Sequence, residues 1–264
     1  MFAIVRKTLF EKRFSLIAWA LGALFMVWLT LIFYPSFSQG DQLDSLIKSL
    51  PPQLQGLVGN VNNFKSIGGY LDGVVFNLRV PLVTVTMAIL FGISLTAADE
   101  EQGTLSTLLA QPVSRGRVLL EKFIALTASI IIVHIGVFFG LLLALLNINY
   151  TYSISLLLAV TAGSLLLALV FGTFAFGLGI AFGKKGLISA IAAGVAFLAF
   201  LVESLAPSVK SLQGIQKISP FYYYTAPGTA SNGLDWAYVA LQALIIAALA
   251  IIGWAFFRHR DVEV

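Results

Sequence analysis

The chain contains no cysteine, which excludes disulfides and thiolate metal sites. Charge is nearly as scarce. Only 11% of the 264 residues are charged while 59% are hydrophobic, against about 25% charged in an ordinary soluble domain. A soluble domain is therefore excluded. No Gly-x-x-x-x-Gly-Lys-[Ser/Thr] run occurs, so no loop of the usual kind cradles nucleotide phosphates. The nearest approach, Gly177 to Gly183-Lys184, has the wrong spacing and ends in Lys185. No His/Glu pair stands at metal-ligand spacing, and no Ser, His and Asp arrangement suggests a nucleophile. Neither an enzyme nor a bound metal is expected.

What the chain does have is length without charge. Its 28 charged residues cluster and leave uncharged runs of 27 residues (Phe14 to Gly40), 19 (Val80 to Ala98), 61 (Phe123 to Gly183), 17 (Gly186 to Val202) and 22 (Trp236 to Phe257). About 20 apolar residues cross a hydrocarbon core of roughly 30 Å as a helix. Four runs therefore supply one span each and the longest supplies two, divided at Asn147-Ile148-Asn149-Tyr150-Thr151-Tyr152, whose polar and aromatic residues suit a membrane interface. The reading is an all-α, polytopic membrane protein with six transmembrane helices. It forms a single transmembrane domain over 1–264, with spans near 15–34, 80–98, 123–146, 153–182, 187–206 and 236–257. A closed barrel is excluded, because Ile130 to Val133 and Leu165 to Val170 show no apolar/polar alternation. The first apolar stretch runs about 19 residues without an Ala-x-Ala-like cleavage site. A signal peptide's apolar region is about 7–15 residues, so a retained span is expected.

Orientation follows from basic residues, which cytoplasmic loops hold in excess. Arg6, Lys7, Lys12, Arg13, Arg115, Arg117, Lys122, Lys184, Lys185, Arg258 and Arg260 fall in one set of connections; only Lys48, Lys65, Arg79, Lys210 and Lys217 fall in the other. Both termini are expected in the cytoplasm. The net charge of +4 then reflects topology, and no nucleic-acid partner is expected.

The outer segment over about 35–79 carries helical periodicity. Leu43, Leu46, Ile47 and Leu50 recur at helical spacing, stop at Pro51-Pro52, and the pattern restarts at Leu54, Leu57, Val58 and Val61. These positions predict short amphipathic helices, either a lid over the outer surface or helices resting on the bilayer or the spans. Met1 to Arg13 has poor amphipathicity and reads as a topogenic basic flank able to form a short helix. Between the second and third spans, Asp99-Glu100-Glu101 precedes Leu105, Leu108 and Leu109 on one apolar face, and Pro112 ends the pattern. Ser114 stands where it caps the next helix. The three leucines either meet a partner or pack beneath their own spans.

In Glu101, Gly103, Thr104, Leu105, Leu108, Leu109, Pro112, Ser114 and Arg115 this connection resembles that of the type-2 permeases of ATP-binding-cassette exporters. Ser219-Pro220-Phe221-Tyr222-Tyr223-Tyr224 is similar to the family's outer segment before the last span, and Phe257 to Val262 to its basic-Asp ending. The chain departs at Glu121-Lys122, where the family usually has Gly-Lys. The resemblance implies a permease of a prokaryotic cytoplasmic membrane that dimerises with a second copy or a sister permease. ATP-Mg would be bound by separate cytoplasmic ATPase subunits. Glu101, Gly103, Thr104, Leu105, Leu108 and Leu109 would form the coupling helix that contacts the ATPase.

Within the spans, His134 and Glu203 are the ionisable candidates, since such groups are costly in hydrocarbon and mark pathways or proton sites. The structural alternatives are a neutral imidazole bonded to a Ser or Thr of a neighbouring span, and a Glu203 paired with Lys210. Gly136/Gly140, Gly179/Gly183 and Gly186/Ala190/Gly194 suit close helix approach, in a dimer seam or within one subunit. With Phe171, Phe174, Phe176, Phe197 and Phe200 plentiful and charge nearly absent, the expected cargo is hydrophobic or amphipathic, such as a drug, peptide or lipid. An ion-gradient-driven secondary transporter and a non-transporting scaffold or sensor are the alternatives.

A periplasmic-activity reporter fused after Val264 should be silent and one inserted near Lys210 active. The opposite pattern would overturn the six-span topology.

Overall fold

The computed structural model describes residues 2–38, 66–104 and 113–259. Six helices are long and apolar enough to cross a membrane: Arg13–Ser36, Ile67–Glu101, Arg115–Asn147, Ile154–Phe182, Lys185–Leu205 and Trp236–Arg258, here called spans one to six. No strand occurs among the described residues. Hydrocarbon supplies no hydrogen-bond partner, so each span must satisfy its own backbone, and only a helix does so within one segment. Four hydroxyl side chains meet the same constraint by folding back one turn. Thr30 donates to Met26 O at 2.8 Å, Thr84 to Val80 O at 2.9 Å, Ser129 to Ala125 O at 2.7 Å and Thr161 to Leu157 O at 2.7 Å.

Burial sorts the spans into two shells. The most apolar stretch of span two is 72% buried, against 11% for span six. Spans two, three and four form the core, with span one packed on span three, span five on spans two and four, and span six on span four. Phe25, Leu29, Leu244 and Phe256 on the outer spans point outward, an arrangement that only lipid makes inexpensive.

The junction of spans one and three is set by missing side chains. A Cβ at Gly136 would stand 2.3 Å from Ala20 O, and one at Gly140 2.6 Å from Leu24 O. This pair of small residues therefore packs within one subunit and lets two backbones touch. Gly186 and Gly194 of span five face open space instead.

Two span starts depart from the expected 80 and 123. Span two begins at Ile67, runs through a π-helical stretch Leu71–Arg79 and continues as Val80–Ser94. Span three begins at Arg115. Charged residues ordinarily bound a span, but here they carry partners that let the helix continue. Asp72 accepts three hydrogen bonds, described below. Arg79 reaches back to Val74 O at 2.7 Å, and Arg117, Glu121 and Lys122 are tied to neighbours. The N-terminal flank is helical over Ala3–Glu11. The amphipathic pattern of residues 43–61 and leucines 105, 108 and 109 lie outside the described residues.

Replacing Gly136 by Leu should separate spans one and three and cost about 1–3 kcal/mol by overpacking. The loss would be read as a lowered unfolding temperature in detergent. Gly22→Ala, on the same span one but facing open space, should be neutral or slightly stabilising, because Ala is the better helix former. Equal effects of the two would remove the close-approach argument.

Candidate functional site

The connection leaving span two is fixed at its base by three contacts. Span two proper ends at Ser94; after Leu95 and Thr96 a short helix, Ala97–Glu101, carries Asp99 and Glu100 in its first turn. Lys122 of span three is buried, with 2% of its surface exposed. Its amine donates to Leu95 O at 2.8 Å and lies 2.6 Å from Asp99 Oδ2. A cation at a helix C-terminus meets unsatisfied carbonyls and the negative end of the dipole, so one ammonium caps span two and pairs with the acid that follows. Glu101 provides the second anchor, its Oε1 accepting from Lys185 N at 2.8 Å. That N–H opens span five and has no partner within its own helix, so Glu101 caps it from another element. Thr96 provides the third. It packs so closely on span four that a Cβ at Gly179 would overlap its Oγ1.

Gly103 then takes φ +70, a left-handed conformation that glycine adopts without Cβ strain. Thr104 is the last described residue before the leucines. Of the six residues assigned by resemblance to a coupling helix, Glu101, Gly103 and Thr104 thus form the anchored stem. Leu105, Leu108 and Leu109 lie outside the described residues.

Next to Lys122, Glu121 serves a different element. Its side chain is 5% exposed and accepts from Ile4 N at 2.9 Å and from Arg117 Nε at 3.0 Å. The carboxylate thereby caps the first turn of the Ala3–Glu11 helix and docks it on span three. Asp99, Glu121 and Lys122 were not singled out from sequence as site residues. The Arg117/Glu121 spacing of four was readable as a helical pair, whereas Lys122 with Asp99 depends on where spans two and three meet.

The remaining sequence candidates stand apart from this cluster. His134 is buried, and its Nδ1 lies 2.9 Å from Ile130 O on its own helix, with no hydrogen bond at Nε2 among the described residues. The partner of Nδ1 belongs to its own helix, and the backbone of Ser164 on span four also acts on the ring. Glu203 accepts from Thr225 Oγ1 at 2.5 Å, its Oε2 is buried without a partner, and no ion pair with Lys210 forms. Of the phenylalanines, Phe171 and Phe176 belong to the core, while Phe197 is 60% exposed. Phe197 and Phe200 line an apolar groove of about 320 Å³ between spans two and five, opposite Leu82, Val85, Ile89 and Ile93.

The far end of the bundle is also latched. Asp72 accepts from Ala230 N at 2.8 Å, Ser231 N at 3.1 Å and Ser231 Oγ at 2.8 Å, binding the short helix Thr229–Asn232 to the π-helical stretch. Tyr224 donates to Phe76 O at 2.7 Å, and Tyr152 donates to Ala230 O. Burial, and after it the Asp72 charge, pushes Tyr152 up to about 12, so its hydroxyl remains a donor at neutral pH. A polar cavity of about 590 Å³ opens beside this latch.

Compared with known families, residues 2–262 match the family described as ABC-2 family transporter protein. The chain belongs to that family, the membrane component of ATP-binding-cassette transporters, and is a multi-pass permease. No curated protein matches it closely enough to count as a relative.

Lys122→Met should leave Asp99 without its cation and the end of span two uncapped, costing about 3–5 kcal/mol. Asp99→Leu combined with it should recover much of that loss, since an apolar pair removes both charges. Thermal unfolding of the four proteins of this double-mutant cycle measures the coupling. Strictly additive losses would mean that the pair does not hold the connection.

Proposed function

We propose that the chain is the membrane subunit of an ATP-driven exporter for hydrophobic or amphipathic molecules, powered by a separate cytoplasmic ATPase. Both termini and the Asp99–Arg115 connection lie in the cytoplasm. A second copy or a sister permease completes the transport path, in the cytoplasmic membrane of a prokaryote. The observation that carries this reading is the anchored stem. A connection gripped by span three through Lys122 and by span five through Glu101 is built to receive force and pass it to two spans together. The apolar groove between spans two and five supports the cargo class. Its wall offers Phe197, Phe200 and Ile89 with almost no polar surface, and a charge near the midplane costs several kcal/mol without partners.

Force enters through Leu105, Leu108 and Leu109, seated in a groove of the ATPase. ATP-driven closure of two ATPases displaces the stems, and the stems draw spans two, three and five toward the partner permease. This is a population shift between two packed arrangements, driven by differential binding of ATP. A second reading has one observation in its favour: His134 Nε2 and Glu203 Oε2 are both buried without hydrogen-bond partners among the described residues. Groups of that kind serve proton-coupled secondary transport.

Reconstitution with the ATPase separates the readings. Hydrophobic drugs, lipids or peptides should stimulate ATP hydrolysis. Leu108→Asp, which puts a charge into an apolar contact, should abolish both stimulation and co-purification while the permease still inserts. Stimulation by small charged metabolites alone would overturn the cargo class. Normal association of the Leu108 variant would place the leucines against their own spans. Uptake driven by a proton gradient without the ATPase would promote the second reading.

A further inference from the structure

The end of the bundle that carries both termini holds a second apolar groove, distinct from that between spans two and five. It lies between spans three and six over span four and has a volume of about 410 Å³. Leu120 and Ile251 form its rims, 59% and 64% exposed. Its floor is Phe123 set edge-on against Phe176 at 5.9 Å. Beside the groove, spans four and six touch backbone to backbone, where a Cβ at Gly253 would come 3.2 Å from Gly177 Cα. From Gly116 to Phe123 it runs seven residues, about 10 Å at the rise of an α-helix. One leaflet of hydrocarbon is about 15 Å deep, so the groove follows most of a leaflet.

Its mouth has the opposite chemistry. Arg258 stacks on Trp254, its guanidinium carbon 4.9 Å from the ring. A stacked guanidinium keeps its N–H edge for acceptors in its own plane. Trp254 Nε1 lies 3.6 Å from where a Cβ on Gly116 would stand, so the indole closes over the first turn of span three. That turn follows Ser114, which gives it no side-chain cap, and Arg115 and Arg117 flank Gly116. An apolar trough about 10 Å long with Arg258 at its mouth matches one molecule of the surroundings: a phospholipid with an acyl chain in the trough and an anionic head beside the guanidinium.

We propose that spans three, four and six form a binding site for an anionic phospholipid, with Trp254, Ile251, Leu120 and Phe123 holding an acyl chain and Arg258 recognising the headgroup phosphate. Zwitterionic lipid enters the same trough but gains less at the rim. Gly116 is part of the site because its bare backbone leaves the mouth open. The site requires neither transported cargo nor the ATPase, and it stands whatever the substrate proves to be.

The full-length chain provides its own reporter. With Trp19, Trp28 and Trp236 changed to Phe, Trp254 is the sole tryptophan. In phosphatidylcholine nanodiscs, chain-brominated phosphatidylglycerol should quench Trp254 half-maximally at about fivefold lower mole fraction than chain-brominated phosphatidylcholine, the preference expected of one cation at the surface. Arg258→Gln should erase the preference, and Arg258→Lys should keep most of it. Gly116→Leu, at an exposed position near a helix start, should plug the mouth and suppress quenching by both lipids. Equal quenching by the two lipids in the parent protein would overturn headgroup recognition. Absence of quenching by either, with disulfide formation between Leu120→Cys of one copy and Ile251→Cys of another, would assign the groove to a second copy. The lack of native cysteines makes that cross-link unambiguous.

Discussion

Backbone polar groups inside a bilayer must find their partners within the protein, and most of this structure follows from that single constraint. It makes each span a helix and turns Thr30, Thr84, Ser129 and Thr161 back onto their own carbonyls. It also decides where charge is tolerated. Lys122 is admitted between Leu95 O and Asp99, and Glu121 between Ile4 N and Arg117. Asp72 is admitted among the N–H groups of Ala230 and Ser231. Each of these carboxylates or amines joins elements distant in sequence, so the groups most costly to bury are also the ones that fasten the bundle. Replacing one partner leaves the other exposed to that cost in full.

The number of spans was legible because hydrophobic length is a local property. Phe14 to Gly40 or Trp236 to Phe257 reads as a span with no knowledge of its neighbours. Span starts were less legible wherever a charge had a distant partner. Asp72 looks like the end of a loop, and Ala230 and Ser231, 158 and 159 residues away, show why the helix runs through it. The wiring of the stem was not legible. Glu101 stood out by resemblance, but its bond to Lys185 N depends on how span five approaches span two. His134 illustrates the reverse. Its intramembrane position marked it from sequence, yet its Nδ1 contact is an ordinary one to Ile130 O of the preceding turn.

Span two links the two ends of the molecule. At one end its last carbonyls meet Lys122 and the stem; at the other its π-helical stretch holds the Thr229–Asn232 helix through Asp72. It is also the most buried span, wedged among spans three, four and five. Gripped at both ends and packed along its length, this helix joins the stem to the latch through one continuous backbone. The π-helical turns at the latch end are wider than α turns and are a common place for a helix to absorb a change of register. The stretch itself carries the latch residue Asp72 and runs directly into Val80–Ser94.

The bond from Ile4 N to Glu121 also imposes an order on biogenesis. Residue 121 is synthesised 117 residues after residue 4, an interval of roughly ten seconds at common elongation rates. Through that interval the Ala3–Glu11 helix has no carboxylate to cap its first turn, although span one already anchors it to the membrane. Docking waits for span three to emerge. The acid that caps the N-terminal helix therefore ties the first-made element to the third span, and that helix takes its final position only after residue 121 is made.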